Sequence, residues 1–195
     1  MDQDQQLIRL MCEGDRDAFS ALYQRHHRSI FVYALHMSGD RQAAEDVMQE
    51  TFTSLMKSAR SYDADRAPVL AFLLGIARNQ LLRRLRYERR HLTLVDADVD
   101  SLAASERSSQ LTIKNEIVET VRKSVLSLPT HYREVVVLCE FQEMSYEEAA
   151  RVLNCPVGTV RSRLNRARKM LVEKLRVIHG EDESEAAPSS ERCYA

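Results

Sequence analysis

The chain has 195 residues, of which 28 are Lys or Arg and 29 Asp or Glu, so its net charge near −1 gives no bulk attraction to nucleic acid. Hydrophobic residues make up 44% of it, enough to bury a core in each of two small domains, and with only 5 Gly and 4 Pro its long stretches of three-to-four periodicity run largely uninterrupted. No stretch carries a convincing strand pattern, and the predicted fold class is all-α, with two small helical domains joined by a flexible linker.

The N-terminus, MDQDQQLIRLMCEGDRD, has no apolar run preceded by positive charge, and no later stretch approaches a membrane span, which predicts a cytoplasmic protein without membrane insertion. Residues 4 to 12 form a short amphipathic helix through Leu7, Ile8, Leu10 and Met11 that ends at Gly14. Asp15 caps a longer helix with Phe19, Leu22, Tyr23, Ile30, Phe31 and Ala34 on its buried side, and Ser38, Gly39 and Asp40 then turn the chain. Asp40 caps the next. Its inward face is Ala44, Val47, Met48, Thr51, Leu55 and Met56, and its outward face, Asp46, Gln49, Glu50, Thr53 and Lys57, is polar and mainly acidic.

Between Ala59 and Ala67 the sequence ARSYDADRA lacks periodicity and reads as a loop, with Tyr62 and Asp63 near its middle. Pro68 opens a helix to about His91 that carries Leu70, Leu73, Leu74, Ala77, Leu81 and Leu85 on one side. Asn79, Arg83, Arg86 and Arg90, spaced by four, three and four, lie on the other. Such a row can follow the phosphates of one strand while Asn79 reaches a base edge. Arg78 to His91 holds six Arg and one Glu, so positive charge is concentrated here although the whole chain is near neutral.

Residues 93 to 111, rich in Asp, Ser and Ala without a sustained apolar face, form the predicted linker between an N-terminal domain, 1–92, and a C-terminal one, 112–176. About 20 residues span several tens of ångströms if extended. Thr112 to Ser127 is amphipathic, and Leu128, Pro129 and Thr130 mark a turn into a helix holding Val135, Val136, Val137 and Leu138. Ser145 with Glu148 three residues on is a capping box that starts a helix with Ala149, Ala150, Val152 and Leu153 on its apolar side; Asn154 suits a left-handed exit and Pro156 the first turn of the helix that follows. In that last helix Val160, Leu164, Ala167, Leu171 and Leu175 share one face, while Gly158, Arg161, Ser162, Asn165, Arg166 and Lys169 share the other. Seven basic residues and one acid, Glu173, lie between Val157 and Arg176, so the pair reads as a helix-turn-helix with side chains suited to base edges and phosphates in a major groove. The tail, 177–195, is acidic and Ser-rich and is predicted to be disordered.

Four cysteines, Cys12, Cys139, Cys155 and Cys193, form no CxxC, and six His are scattered, so neither a disulfide framework, a metal site nor a catalytic constellation is expected, and no cofactor is implied.

The stretch PVGTVRSRLNRARKML, preceded by LPTHYREVVVLCEFQEMSYEEAARVLN, closely resembles the promoter-binding domain of the extracytoplasmic-function sigma factors of bacterial RNA polymerase. AEDVMQETF resembles the segment with which those factors grip the clamp of the polymerase's largest subunit, and the helix through Asn79 resembles their melting helix, often WLxxIAxNxxxDxxR. The resemblance covers roughly residues 5 to 92 and 112 to 176. It implies a dissociable specificity subunit that binds core polymerase through Asp46, Gln49, Glu50 and Thr53, and through the flap of the second-largest subunit. It also implies reading of the −10 element by Tyr62, Asp63, Asn79, Arg83, Arg86 and Arg90, and of the −35 element by Thr159, Arg161, Ser162, Asn165, Arg166 and Lys169. Arg83 departs from the family pattern, which commonly has Asp there, and adds positive charge to the row. An anti-sigma factor is a further implied partner.

Two other classes compete. An autonomous helix-turn-helix regulator would bind duplex DNA as a dimer, but it leaves the acidic face at Asp46 and the Asn79 row without a role. A nucleic-acid enzyme would need a carboxylate cluster for metal, a phosphate-cradling Gly loop or an activated nucleophile, and the sequence offers none of these patterns.

Overall fold

The computed structural model describes residues 3–92 and 113–178. Eight α-helices make up most of these: α1 (Gln3–Cys12), α2 (Arg16–Ser38), α3 (Arg41–Ser58), α4 (Val69–Leu92), α5 (Ile113–Leu126), α6 (Thr130–Val136), α7 (Tyr146–Leu153) and α8 (Val157–Ile178). The linker expected at 93–111 and the tail beyond Ile178 lie outside the described residues.

Local chemistry fixes most of the boundaries. Asp15 accepts from the amides of Asp17 and Ala18 at 2.8 and 3.1 Å, satisfying two orphan donors at the start of α2. Asp40 does the same for Gln42 at 2.8 Å and starts α3. Gly39 ends α2 with φ 76°, and its amide donates to Leu35 O at 2.8 Å. It serves a second purpose, since a Cβ there would meet Leu126 of α5 at 3.0 Å. α1 is tied to α2 by Asp4, which bonds the buried His26 at 2.8 Å and pairs with Arg25.

Helices α2, α3 and α4 pack on one another around Leu22, Ile30, Tyr33, Leu55, Leu73 and Leu74, all fully buried. Thr51, placed inward by its periodicity, is buried and accounted for: its hydroxyl donates to Val47 O at 2.7 Å and lies 3.0 Å from Gln80 Oε1 of α4. Met56 is a correction. Expected inside, it is 56% exposed, because α3 turns Phe52 and Leu55 to the core instead, with Ala59 of the turn that follows.

In the second half α6, α7 and α8 surround Val135, Leu138, Leu153, Val160 and Leu164. The helix predicted to hold Val135 to Leu138 does so, widening after Val136 into a π turn, Val137–Phe141, with Gln142 N donating to Val137 O at 3.0 Å. Glu143 follows at φ 52°, ending it.

The two halves touch. α2 packs against α5, α6 and the π turn, and α4 against α7, so the buried residues of both halves form one cluster rather than two. Much of the joint is polar. Arg78 of α4 donates to Glu134 of α6 through Nε at 2.6 Å, Arg133 donates to Met37 O at 2.6 Å, and Arg122 donates to Gly39 O at 3.0 Å.

Candidate nucleic-acid interface

The helix-turn-helix assembles as its sequence dictates. Ser145 Oγ accepts from Glu148 N at 3.2 Å while the Glu148 carboxylate accepts from Ser145 N at 2.9 Å, closing the capping box at the start of α7. Asn154 ends α7 in the left-handed region, φ 51°, and its amide donates back to Arg151 O. Val160, Leu164 and Ala167 are buried and pin α8 against α6 and α7. That leaves Arg161, Ser162, Asn165, Arg166 and Lys169 exposed along one side, with Thr159 half-buried beside them. Gly158 stands at the first turn with open space where a Cβ would lie, so backbone can approach closely there. Arg161 is held over the Tyr146 ring, 5.9 Å from its centre, while Arg168 is engaged by Glu140 at 2.6 Å and so is less available to DNA than its neighbours.

On α4, Asn79, Arg83 and Arg86 are exposed on one face, opposite the buried Ala77 and Leu81. Arg90 lies on the same helix, but its side chain is outside the described set. Tyr62 and Asp63 behave differently from each other. The Tyr62 ring is half-buried against Phe72, centres 5.3 Å apart, and its hydroxyl donates to Ala67 O at 3.0 Å, which folds the loop back onto the start of α4. Asp63 is exposed and accepts from Asp65 N at 3.0 Å, organising the loop's outer turn.

The α3 face presents Gln49, Glu50 and Thr53 to solvent together. Asp46 is only partly exposed and is paired with Arg84 of α4 at 2.9 Å. Hydrogen bonds from Arg84 and Gln42 hold its carboxyl below the usual carboxylate range. Between α3 and α4 lies a groove of about 520 Å³, lined by Asp46, Glu50, Gln80, Arg83, Arg86 and Tyr87, so the acidic face and the basic row share an edge. Among the described residues no three His, Cys, Asp or Glu converge as they would around a metal ion. Burial, reinforced by Glu140, pushes the Cys139 thiol up to about 11, so it is not an activated nucleophile.

Comparison with known proteins gives these faces a lineage. The chain matches the family models for sigma-70 region 2 over residues 22–91 and sigma-70 region 4 over residues 119–171. It is 32% identical over 185 residues to the RNA polymerase sigma-H factor of Pseudomonas aeruginosa, covering 91% of this chain and 96% of that one. It belongs to the extracytoplasmic-function sigma factors of the sigma-70 family. A second relative, the sigma factor SigW of Bacillus subtilis, is 31% identical over 87% of this chain and 95% of its own. Two solved structures have the same arrangement of helices. One is CnrH in complex with the cytosolic domain of CnrY, with a TM-score of 0.68, 27% identity and coverage of 90% of this chain and 99% of that one. The other is the sigma factor RpoE in complex with the anti-sigma factor NepR from Bartonella quintana, with a TM-score of 0.68, 26% identity and coverage of 82% and 97%.

The region 2 match spans α4 with its exposed row and α3 with its acidic face, and the region 4 match spans the helix-turn-helix. Two exposed side chains of this sigma factor escaped the sequence reading. Tyr87 is 60% exposed and continues the α4 row four residues beyond Arg83, and Met56 stands three residues beyond Thr53 on the α3 face. The signal for both was there in the i, i+3, i+4 spacing, but an aromatic and a methionine on a helix default to the core when only periodicity is considered.

Proposed function

We infer that this sigma factor binds core RNA polymerase in the cytoplasm, directs it to promoters with −10 and −35 elements, and assists strand opening, catalysing no covalent reaction itself. The observation that carries this reading is the coexistence of three separate exposed polar faces on one chain: Gln49, Glu50 and Thr53 on α3, a basic row with an amide on α4, and a basic face on α8. Gln49, Glu50 and Thr53, with Asp46 behind them, meet the clamp of the largest polymerase subunit. A carboxylate face suits a basic partner, and the apolar Met56 at its edge supplies contact area that charge alone does not. The second half additionally contacts the flap of the second-largest subunit.

On the DNA side, Asn79, Arg83, Arg86 and Arg90 take the separated strand of the −10 element, phosphates on the arginines and a base edge on Asn79. Asp63 is the loop group that meets a flipped base, and Tyr62 positions that loop through its bond to Ala67. Thr159, Arg161, Ser162, Asn165, Arg166 and Lys169 take the −35 duplex, the first turns of α8 reading bases and Lys169 holding a phosphate. An anti-sigma factor is a further partner, consistent with the co-crystal of a structural relative with such a protein.

The test is a mixing experiment. Promoter binding and run-off transcription are measured with the chain alone, core polymerase alone and the two together. Promoter-specific initiation only in the mixture is expected. Specific duplex binding by the isolated chain at physiological salt, unchanged by core polymerase, would replace this reading with an autonomous regulator.

A further inference from the structure

α8 continues well past the residues assigned to the −35 element. Steps of four, four, three and four from Arg161 set Asn165, Lys169, Val172 and Arg176 along one line of the helix, all of them exposed. Glu173, the acid of this helix, stands to one side of that line. Val172 is 50% exposed and gives the line an apolar patch between its two outer cations. A carboxylate already binds along the neighbouring edge: Glu140 of the π turn takes Arg168 through Nε at 3.1 Å and Nη2 at 2.6 Å, with both side chains largely open to solvent.

The sequence that follows α8 has the complementary composition. Residues 179–195, HGEDESEAAPSSERCYA, carry five acids against one Arg, and Glu181, Asp182, Glu183 and Glu185 are clustered at the start. The rest of the chain has an excess of basic residues, so the near-neutral charge of the whole is owed to this segment.

The covalent attachment decides what those acids can reach. At 1.5 Å per helical residue, Arg176 stands about 3 Å, Lys169 about 13 Å and Arg161 about 25 Å before Ile178. Gly180 suits the left-handed reversal that commonly follows a helix end. From a reversal there, extended chain at about 3.4 Å per residue brings Asp182 level with Arg176 and Glu185 level with Lys169. Segment and helix are therefore matched in register as well as in sign.

Resting on the DNA-reading role given to α8 above, we propose that residues 179–195 fold back along α8, their acids on Arg176 and Lys169, and compete with duplex DNA for that face. A phosphate must displace the same carboxylates whatever the base sequence, so base preference is unchanged. Overall affinity falls in proportion to the fraction of chains whose α8 is uncovered.

Two measurements on the full chain test this. A carbodiimide joins a carboxylate to an amine only where the two touch, and the products are mapped by mass spectrometry. Coupling of Glu183 or Glu185 to Lys169 or Lys174 within one chain is expected, with its loss in 0.5 M salt, where screening acts within about 4 Å. No coupling, coupling to Lys57 or Lys123 instead, or coupling only between two chains overturns the docking. Binding to a duplex of random sequence is then followed by fluorescence anisotropy. The combined change Glu181→Gln, Asp182→Asn, Glu183→Gln and Glu185→Gln should tighten it about tenfold at low salt and hardly at all in 0.5 M salt. Arg176→Gln separates docking from bulk charge: it removes a cation, yet should tighten duplex binding about twofold while the acids are present and weaken it once they are neutralised. Val172→Ser, which alters no charge, should also tighten binding only while the acids are present. If Arg176→Gln weakens duplex binding in both backgrounds, or Val172→Ser acts alike in both, the competition is overturned. None of these results touches the sigma-factor reading, which falls if the chain with core polymerase fails to initiate at any promoter.

Discussion

Arg161→Ala tests the recognition helix most sharply, because the position of that side chain is set by neighbours that are themselves fixed. Val160 and Leu164 are buried on either side of it in sequence, which orients its Cα–Cβ vector outward, and the Tyr146 ring supports the guanidinium from α7 at 5.9 Å. A bidentate contact to a base contributes about 1–3 kcal/mol of discrimination, or roughly 5- to 150-fold between the cognate base and its alternatives. The supporting ring is worth about 0.5–1 kcal/mol at an exposed site, so Tyr146→Leu should lower discrimination at the same base pair by only about two- to fivefold. Lys169→Ala, two turns further along α8, should leave base preference intact, weaken binding to all sequences alike and reduce the dependence of log K on log salt by about one unit. The assay is transcription by reconstituted holoenzyme on a library randomised across the −35 element at two salt concentrations. If Arg161→Ala lowers output evenly with no change of base preference, its role is electrostatic and the base-reading assignment is wrong.

Four further outcomes are expected. Glu50→Lys should weaken core binding in pull-downs with helical circular dichroism unchanged; it is a cleaner probe than Asp46→Lys, which also breaks the pair with Arg84 and sets two cations side by side. Asn79→Ala with Arg83→Ala should reduce open-complex formation, read by permanganate footprinting, more than initial promoter binding. Burial, aided by Arg122, holds His36 below its ordinary value, so the unfolded chain takes up a proton before the folded one does; stability is fully present above about pH 6.5 and falls as pH drops toward the folded value, and His36→Phe should remove that slope from a pH series of thermal melts. Leu164→Ala, at a fully packed site of the second half, should cost about 2–5 kcal/mol in denaturant unfolding and loosen α8 before it affects α3.

Much of the molecule was legible from residue order because the relevant forces are local. Ser145 and Glu148, Asn154 and Pro156, Asp15 and Asp40 satisfy backbone groups within four residues of themselves, so the ends of α2, α3, α7 and α8 follow from sequence. Helical periodicity likewise separated Val160, Leu164 and Ala167 from Arg161, Asn165 and Arg166, and Ala77 and Leu81 from Asn79 and Arg83. What periodicity gives is a face, not its partner. That Met56 looks outward, that Tyr62 is spent holding its loop through Ala67, and that Asp46 is tied to Arg84 depend on which helix arrives opposite each of them. The joint of the two halves was the least readable part. Arg78 lies 56 residues from Glu134 and Arg133 lies 96 from Met37, and charges that far apart carry no pattern until packing brings them into a low-dielectric space where each requires the other.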